Sequence, residues 1–156
     1  MTTFALPRTA VVARLQLTHG ASRTGEIFVF ERVPEHSGPE TPLEMLNRPE
    51  GFFPFRADGK DAVLLVTKAL TVSLTVPHTA SISDPDRLSA AKMIPLEVML
   101  ANGSTLAGVA LFEAPEHHAR LLDFLNASRE PFFAVSTGDA THCVNRAHVL
   151  YARPQE

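Results

Sequence analysis

Residues 13–25 read ARLQLTHGASRTG, and residues 96–108 read LEVMLANGSTLAG. Both stretches alternate apolar with other residues, reach a His-Gly or Asn-Gly pair, and carry a second glycine five positions later. Alternation of this kind is the period of a half-buried β-strand, and an Asn-Gly pair between two such runs is typical of a hairpin. The two stretches therefore predict the same β-hairpin twice in one chain.

The remaining sequence follows the same order twice. The matched blocks are PEH at 34–36 and 115–117, LEMLN at 43–47 and LDFLN at 122–126, FF at 52–53 and 132–133, and VTKA at 66–69 and VNRA at 144–147. Self-similarity in a fixed order indicates an internal duplication. We predict a first repeat at 10–77, a linker with a short helix at 78–94, and a second repeat at 95–154.

Each repeat is expected to contain five short strands and one helix of about two turns. In the first repeat, Thr41 and Pro42 are typical of a helix N-cap and first position, and in the second the helix spans His117–Asn126. The expected strands are 12–17, 25–30, 52–56, 62–67 and 70–76 in the first repeat, and 96–100, 106–112, 132–136, 141–145 and 148–153 in the second. Closure into a small barrel would remove the exposed edges of five such strands.

Two motifs resemble a known family. The hairpin with its two glycines and the late block VNRAHV at 144–149 resemble Sm-like proteins. The segment RLLDFLN at 120–126 is similar to one that precedes a Phe-rich strand in uncharacterised bacterial Sm-like domains. The resemblance covers most of the chain and implies a mostly β fold with short helices, a tandem duplication of a five-stranded Sm-like or SH3-like small β-barrel. It implies no activity.

Composition narrows the class of protein. The chain has 156 residues, and its net charge of −3 argues against a protein that coats nucleic acid. A single cysteine excludes an internal disulfide framework. The first residues lack a basic segment followed by a long apolar core, and no apolar run reaches the length of a membrane span. We therefore expect a cytoplasmic protein with no membrane partner. A barrel of about 60 residues buries only about 60% of its unfolded surface, so we expect repeats that pack together or a homo-oligomer.

Candidate partner-binding residues come from the repeated blocks. They are Phe52, Phe53, Phe132, Phe133, Asp123 and Asn126. In a regular strand, neighbouring side chains point to opposite faces, so one Phe of each pair should face outward. The alternatives are core packing or base stacking for the phenylalanines, and for Asn126 a left-handed helix end.

Other chemistries receive little support from the sequence. The segment EHH at 116–118 lacks the converging ligands of a zinc site, and a strand places His142 and Cys143 on opposite faces. We therefore predict no metal, no nucleophilic cysteine and no cofactor.

The leading hypothesis is a non-enzymatic binding or scaffold protein whose partner is another protein or a second copy. The first alternative is an Sm-like RNA binder with Thr67, Lys68, Asn145 and Arg146 facing a pore, which the negative charge disfavours. The second alternative, an enzyme with a site between the repeats, is the least favoured because no catalytic set is duplicated.

Overall fold

The computed structural model describes residues 7–58, 63–78, 92–112, 121–127 and 129–155. The strands are β1 (Arg8–Leu17), β2 (Ser22–Phe30), β3 (Phe52–Ala57), β4 (Val63–Thr67), β5 (Thr71–Pro77), β6 (Lys92–Leu100), β7 (Thr105–Phe112), β8 (Phe132–Ser136), β9 (Ala140–Asn145) and β10 (Val149–Pro154). The helices in these ranges are α1 (Pro42–Leu46) and α2 (Leu121–Ala127), and 3-10 turns at Lys68–Leu70 and Arg146–His148 precede β5 and β10. The predicted linker helix and the predicted start of the second helix fall at 79–91 and 113–120, outside the described residues.

The described strands form one antiparallel sheet of ten strands, in the order β10-β6-β7-β8-β9-β5-β1-β2-β3-β4. The mostly β prediction with short helices is confirmed. The sheet is continuous because β5 of the first half (β1–β5) pairs with β9 of the second half (β6–β10). The chain therefore forms one open sheet rather than two separately closed barrels, and β4 and β10 lie at its two ends.

The two halves repeat one strand register. Phe53 of β3 lies opposite Val66 of β4, and Phe133 of β8 lies opposite Val144 of β9. Each half also runs in the same order, two strands, a helix, two strands, a 3-10 turn and a last strand. Positions in one half can therefore be assigned counterparts in the other from the ladder itself.

The last strand of each half carries an irregularity at the same place. The ladder between β1 and β5 passes over Val72, and the ladder between β6 and β10 passes over Leu150. A residue passed over in this way sits in a bulge, which re-aims its side chain. Val72 and Leu150 are therefore counterparts.

Glycine makes the two predicted hairpin turns. Gly20 has φ +85° and Gly103 has φ +90°, and their N–H groups donate to the carbonyl oxygens of Leu17 (3.2 Å) and Leu100 (2.9 Å). The pattern is a three-residue loop that ends in a left-handed residue. The predicted turns are confirmed, with the positive φ carried by glycine alone among the described residues.

A capping box starts α1. The Thr41 hydroxyl accepts from the Glu44 N–H at 3.1 Å, and the Glu44 carboxylate accepts from the Thr41 N–H at 2.8 Å. Burial raises the pKa of Glu44, but these hydrogen bonds and His36 outweigh burial and leave that pKa below its usual value. His36 Nε2 lies 2.7 Å from the same carboxylate, and this hydrogen bond raises the pKa of His36. His36 therefore lies in the loop before α1 and is hydrogen-bonded to the first turn of the helix.

Candidate protein-binding edges of the sheet

The junction between the halves is a short antiparallel ladder. Its opposed residues are Ser73 and Val144, Leu74 and Cys143, Thr75 and His142, Val76 and Thr141, and Pro77 and Ala140. Hydrogen bonding thus continues from one half into the other.

Apolar side chains cross this junction in both directions. Phe132 and Cys143 of the second half pack into the core cluster of the first half, and both are almost fully buried. Val72 of the first half packs into the core cluster of the second half and is also fully buried. Each half therefore completes the apolar core of the other.

Two asparagine side chains satisfy backbone groups across the junction. The Asn47 side chain, at the end of α1, accepts from the Phe132 N–H at 2.9 Å and donates to the Phe132 carbonyl at 3.2 Å. Asn145 Nδ2 donates to the carbonyl oxygens of Lys68 (3.1 Å) and Thr71 (3.0 Å). Buried polar groups are stable only with such partners, so these amides fix how the halves meet.

The counterparts of these junction residues lie exposed at the two ends of the sheet. Phe52, the counterpart of Phe132, is 61% exposed where Phe132 is 1% exposed. Leu65, the counterpart of Cys143, is 74% exposed. Leu150, the counterpart of Val72, is 64% exposed. Positions that are buried inside the chain by the other half are therefore uncovered at β4 and β10.

The two end strands differ in how well they are protected: β4 has no charge and no proline, whereas β10 has a bulge at Leu150 and ends in a proline. Natural edge strands are blunted by charge, proline or bulges, because their free backbone groups can pair with another chain. β4 reads VLLVT without a charge, and its Leu64 is also exposed. β10 bears exposed Tyr151, and its Arg153 is neutralised by Glu97 at 2.7 Å. The apolar β4 edge is typical of a strand that pairs with another chain, and β10 presents exposed apolar side chains beside its bulge.

The four predicted phenylalanines are not equivalent. Phe52 is exposed, whereas Phe53, Phe132 and Phe133 are buried. The expectation of one outward Phe in each pair is right for the first pair and wrong for the second, because the first half covers the face of β8 that bears Phe132. Phe133 packs edge-to-face against Phe124 of α2, with ring centroids 5.6 Å apart. Among the four, only Phe52 is accessible to a partner.

The two polar candidates lie on α2. Asp123 is half-buried and Asn126 is exposed. The alternative of a left-handed end at Asn126 is wrong, because positive φ among the described residues is confined to glycine. The corresponding residue Asn47 ends α1 with φ −89°. Asn126 therefore presents an exposed amide at the position where Asn47 binds across the junction.

The residues of the RNA hypothesis act inside the fold. Lys68 Nζ donates to two carbonyl oxygens at the C-terminal end of α1, each at 3.1 Å, and burial lowers its pKa. The Arg146 guanidinium donates to the Leu125 carbonyl in the last turn of α2 and to the Glu130 carbonyl after the helix. A cation at a helix C-terminus stabilises the helix through its free carbonyl groups. Asn145 is bonded across the junction, and Thr67 is half-buried.

The groups considered for metal or nucleophilic chemistry are enclosed. Burial raises the pKa of the Cys143 thiol to about 12, so the group is a neutral thiol at physiological pH. The ring of His142 lies within hydrogen-bond distance of the Thr75 hydroxyl (2.9 Å) and the Thr137 hydroxyl (3.2 Å), and burial lowers its pKa. Within the described ranges, no three His, Cys, Asp or Glu side chains converge as a metal site. The segment 116–118 lies outside those ranges.

The edge residues Leu65, Leu150 and Tyr151 were not identified from the sequence. A usable signal was present, since residues 63–66 read VLLV without alternation. A continuous apolar run predicts a strand covered on both faces. Because β4 is exposed in the single chain, this run indicates a strand that another chain could cover.

Comparisons with known proteins add no relative: no protein-family model matches the chain, and no curated protein or solved structure shows significant similarity to it. In the described ranges, none of the helices has the length and apolar character that crossing a bilayer requires.

Proposed function

We propose that the chain is a non-enzymatic binding or scaffold protein, built from two duplicated Sm-like β-repeats, that associates with protein partners through the β4 and β10 edges. The observation that carries this proposal is the contrast between Phe132 and Phe52. The same residue type at the same position is buried where another strand covers it and exposed where none of the described strands does. The exposed set has the composition of a protein interface, aromatic and aliphatic side chains with little charge.

The duplication is supported by a steric requirement that both halves share. A Cβ at Gly25 would lie 2.1 Å from the Arg56 carbonyl oxygen, and a Cβ at Gly108 would lie 2.5 Å from the Ser136 carbonyl oxygen. Both contacts are far closer than a Cβ tolerates, so only glycine permits the close approach of the neighbouring strand. The two halves thus retain residues that the fold needs, as a duplicated structural module would.

The RNA alternative is less favoured because its basic residues already bind helix ends. Lys68 and Arg146 donate to backbone carbonyls. Phosphate binding would need these cations to be free and concentrated on one surface.

Photo-crosslinking tests the proposal. A benzophenone side chain at Leu65 is activated by light in native cells that contain the full chain, and covalent products are identified by mass spectrometry. The matched control carries the same side chain at Val12, which is 58% exposed but lies on β1, inside the sheet. We expect defined protein adducts from position 65 and none from position 12. Equal labelling at both positions, or no adduct at 65, would refute association through this edge.

A further inference from the structure

We propose that the partner of each edge is a second copy of this chain, with β10 of one copy paired antiparallel to β4 of the next. This inference rests on the proposed function and names its partner. The template is the β5–β9 junction inside the chain, because β10 is the counterpart of β5 and β4 is the counterpart of β9. The chain thus already contains one example of the contact, and it exposes the two complementary surfaces that would repeat it.

The internal ladder fixes the register of the external one. Leu74 lies opposite Cys143 in the junction, so Ala152 of one copy lies opposite Leu65 of the next. By the same counterparts, Tyr151 lies opposite Val66. Register in a sheet is set by which side chains must be covered, and a slip of one residue would turn the apolar set to the wrong face.

The apolar side chains match in this register. Leu65 would enter the core of the second half of the other copy, as Cys143 enters the core of the first half within the chain. Ala152 already packs against that core, and it is smaller than its counterpart Leu74, which compensates for a leucine opposite it where the internal junction has a cysteine. Leu150 would enter the first half of the other copy, as Val72 enters the second half within the chain. Three side chains that are exposed in the single chain, Phe52 included, would then be covered.

The polar groups match as well. Asn126 would bind the backbone of Phe52 in the other copy, as Asn47 binds the backbone of Phe132 within the chain. Asn126 is exposed and Phe52 is the exposed counterpart, so both groups are accessible. Neither edge places like charges opposite each other, since β4 carries none and Arg153 is paired with Glu97. The contact is head-to-tail, so each copy keeps one free edge until a ring closes or a filament grows.

Mixed cysteine variants test partner and register together. The variants Leu65→Cys and Ala152→Cys are prepared separately and mixed under mild oxidation. Directly opposed residues in an antiparallel pair have Cα atoms about 4.5–5.5 Å apart, which suits a disulfide. We expect a covalent dimer in this mixture and only background product from either variant alone. Wild type shows the background from Cys143, whose buried thiol is neutral.

The off-register control is a mixture of Val63→Cys with Ala152→Cys. Position 63 points to the same side of β4 but is displaced by two residues, about 6.6 Å along the strand, which exceeds the reach of a disulfide. A matched yield that does not exceed the off-register yield would overturn the proposed pairing.

Tyrosine fluorescence gives a second readout that needs no disulfide. Tyr151 is the only tyrosine and the chain has no tryptophan, so emission reports on the β10 edge alone. We expect it to change with protein concentration in wild type and to stay constant in Leu65→Lys, whose substitution lies at the opposite end of the sheet. Burial of an unpaired lysine should weaken association by roughly tenfold or more. Identical concentration dependence in the two proteins would contradict the inference.

The outcomes separate this inference from the proposed function. Photo-crosslinks from position 65 to a different protein, together with no matched cysteine dimer, would refute the second copy as partner and keep the edge as a binding surface. The absence of both products would refute both proposals.

Discussion

Truncating Phe132 and Phe52 to alanine compares two counterparts that differ in burial. Phe132 is 1% exposed and joins the core of the first half, whereas Phe52 is 61% exposed at the β4 end. Phe-to-Ala changes in closed cores cost about 3–5 kcal/mol, because the lost transfer free energy is joined by a cavity. Full burial of a Phe side chain is worth about 1.5–3 kcal/mol, so the two fifths of Phe52 that is covered is worth about 1 kcal/mol, and an open site leaves no cavity. We expect the free energy of unfolding to fall by roughly 2–4 kcal/mol more for Phe132→Ala than for Phe52→Ala.

The assay is urea unfolding followed by far-ultraviolet circular dichroism, at a protein concentration where wild type is monomeric. Equal m-values would show that both variants expose the same surface on unfolding, so that the midpoints report stability. The cost of Phe52→Ala should rise with protein concentration, because a partner that binds only the folded chain adds stability. The reasoning is refuted if Phe52→Ala costs as much as Phe132→Ala in the monomer, or if Phe132→Ala costs less than about 1 kcal/mol.

Three further predictions follow from other contacts. The pKa of His36 is raised above 6.5, so the folded chain holds the His36 proton more tightly than the unfolded chain does. The resulting stability is present below about pH 6.5 and is lost as pH rises through the pKa of the folded state. Urea titrations should show this loss in wild type but not in His36→Gln, and an unchanged pH slope would contradict it. Gly108→Ala should destabilise the chain, because the added Cβ would meet the backbone of the neighbouring strand. Gly138→Ala has open space around the added Cβ and should be neutral or stabilising by about 0.4–1 kcal/mol. Equal thermal midpoints for the two variants would contradict this prediction. Asn47→Ala should cost about 1–3 kcal/mol through unpaired backbone at the junction, while Asn126→Ala should leave the monomer unchanged in the same titration; similar costs would refute the difference in role.

Local features of the fold were predictable from the sequence. The alternation in 13–17 and 96–100 gave the strands, and Gly20 and Gly103 gave the turns, because both signals depend only on neighbouring residues. The start of α1 was equally local, since Thr41 and Pro42 supply a cap and a first position within one turn.

The junction between the halves was not predictable in this way. Phe52-Phe53 and Phe132-Phe133 are identical in sequence, and only the pairing of β5 with β9 decides that Phe132 is covered. Two strands this far apart along the chain pair because of long-range packing, and hydrophobic periodicity reports only on neighbouring residues. For the same reason the sequence does not show that the amine of Lys68 binds the end of α1, which is distant from it along the chain.

The shared element order of the two halves makes one comparison especially informative. Phe132, Cys143 and Val72 show what the edge positions look like when a strand covers them. In the proposed self-association, their exposed counterparts form the binding surface, and a second copy of the chain is the partner. Edge strands of this kind favour pairing with another chain, and here the chain itself supplies a complementary strand.

Sedimentation velocity across a concentration series, for wild type and Leu65→Lys, tests association through the edges most directly. Interference optics are suitable because one tyrosine and no tryptophan give little absorbance at 280 nm. We expect wild type to sediment as species larger than the 17.0 kDa chain as concentration rises, and Leu65→Lys to remain a monomer. A wild type that stays monomeric throughout, or a variant that assembles as wild type does, would contradict the association of copies through these edges.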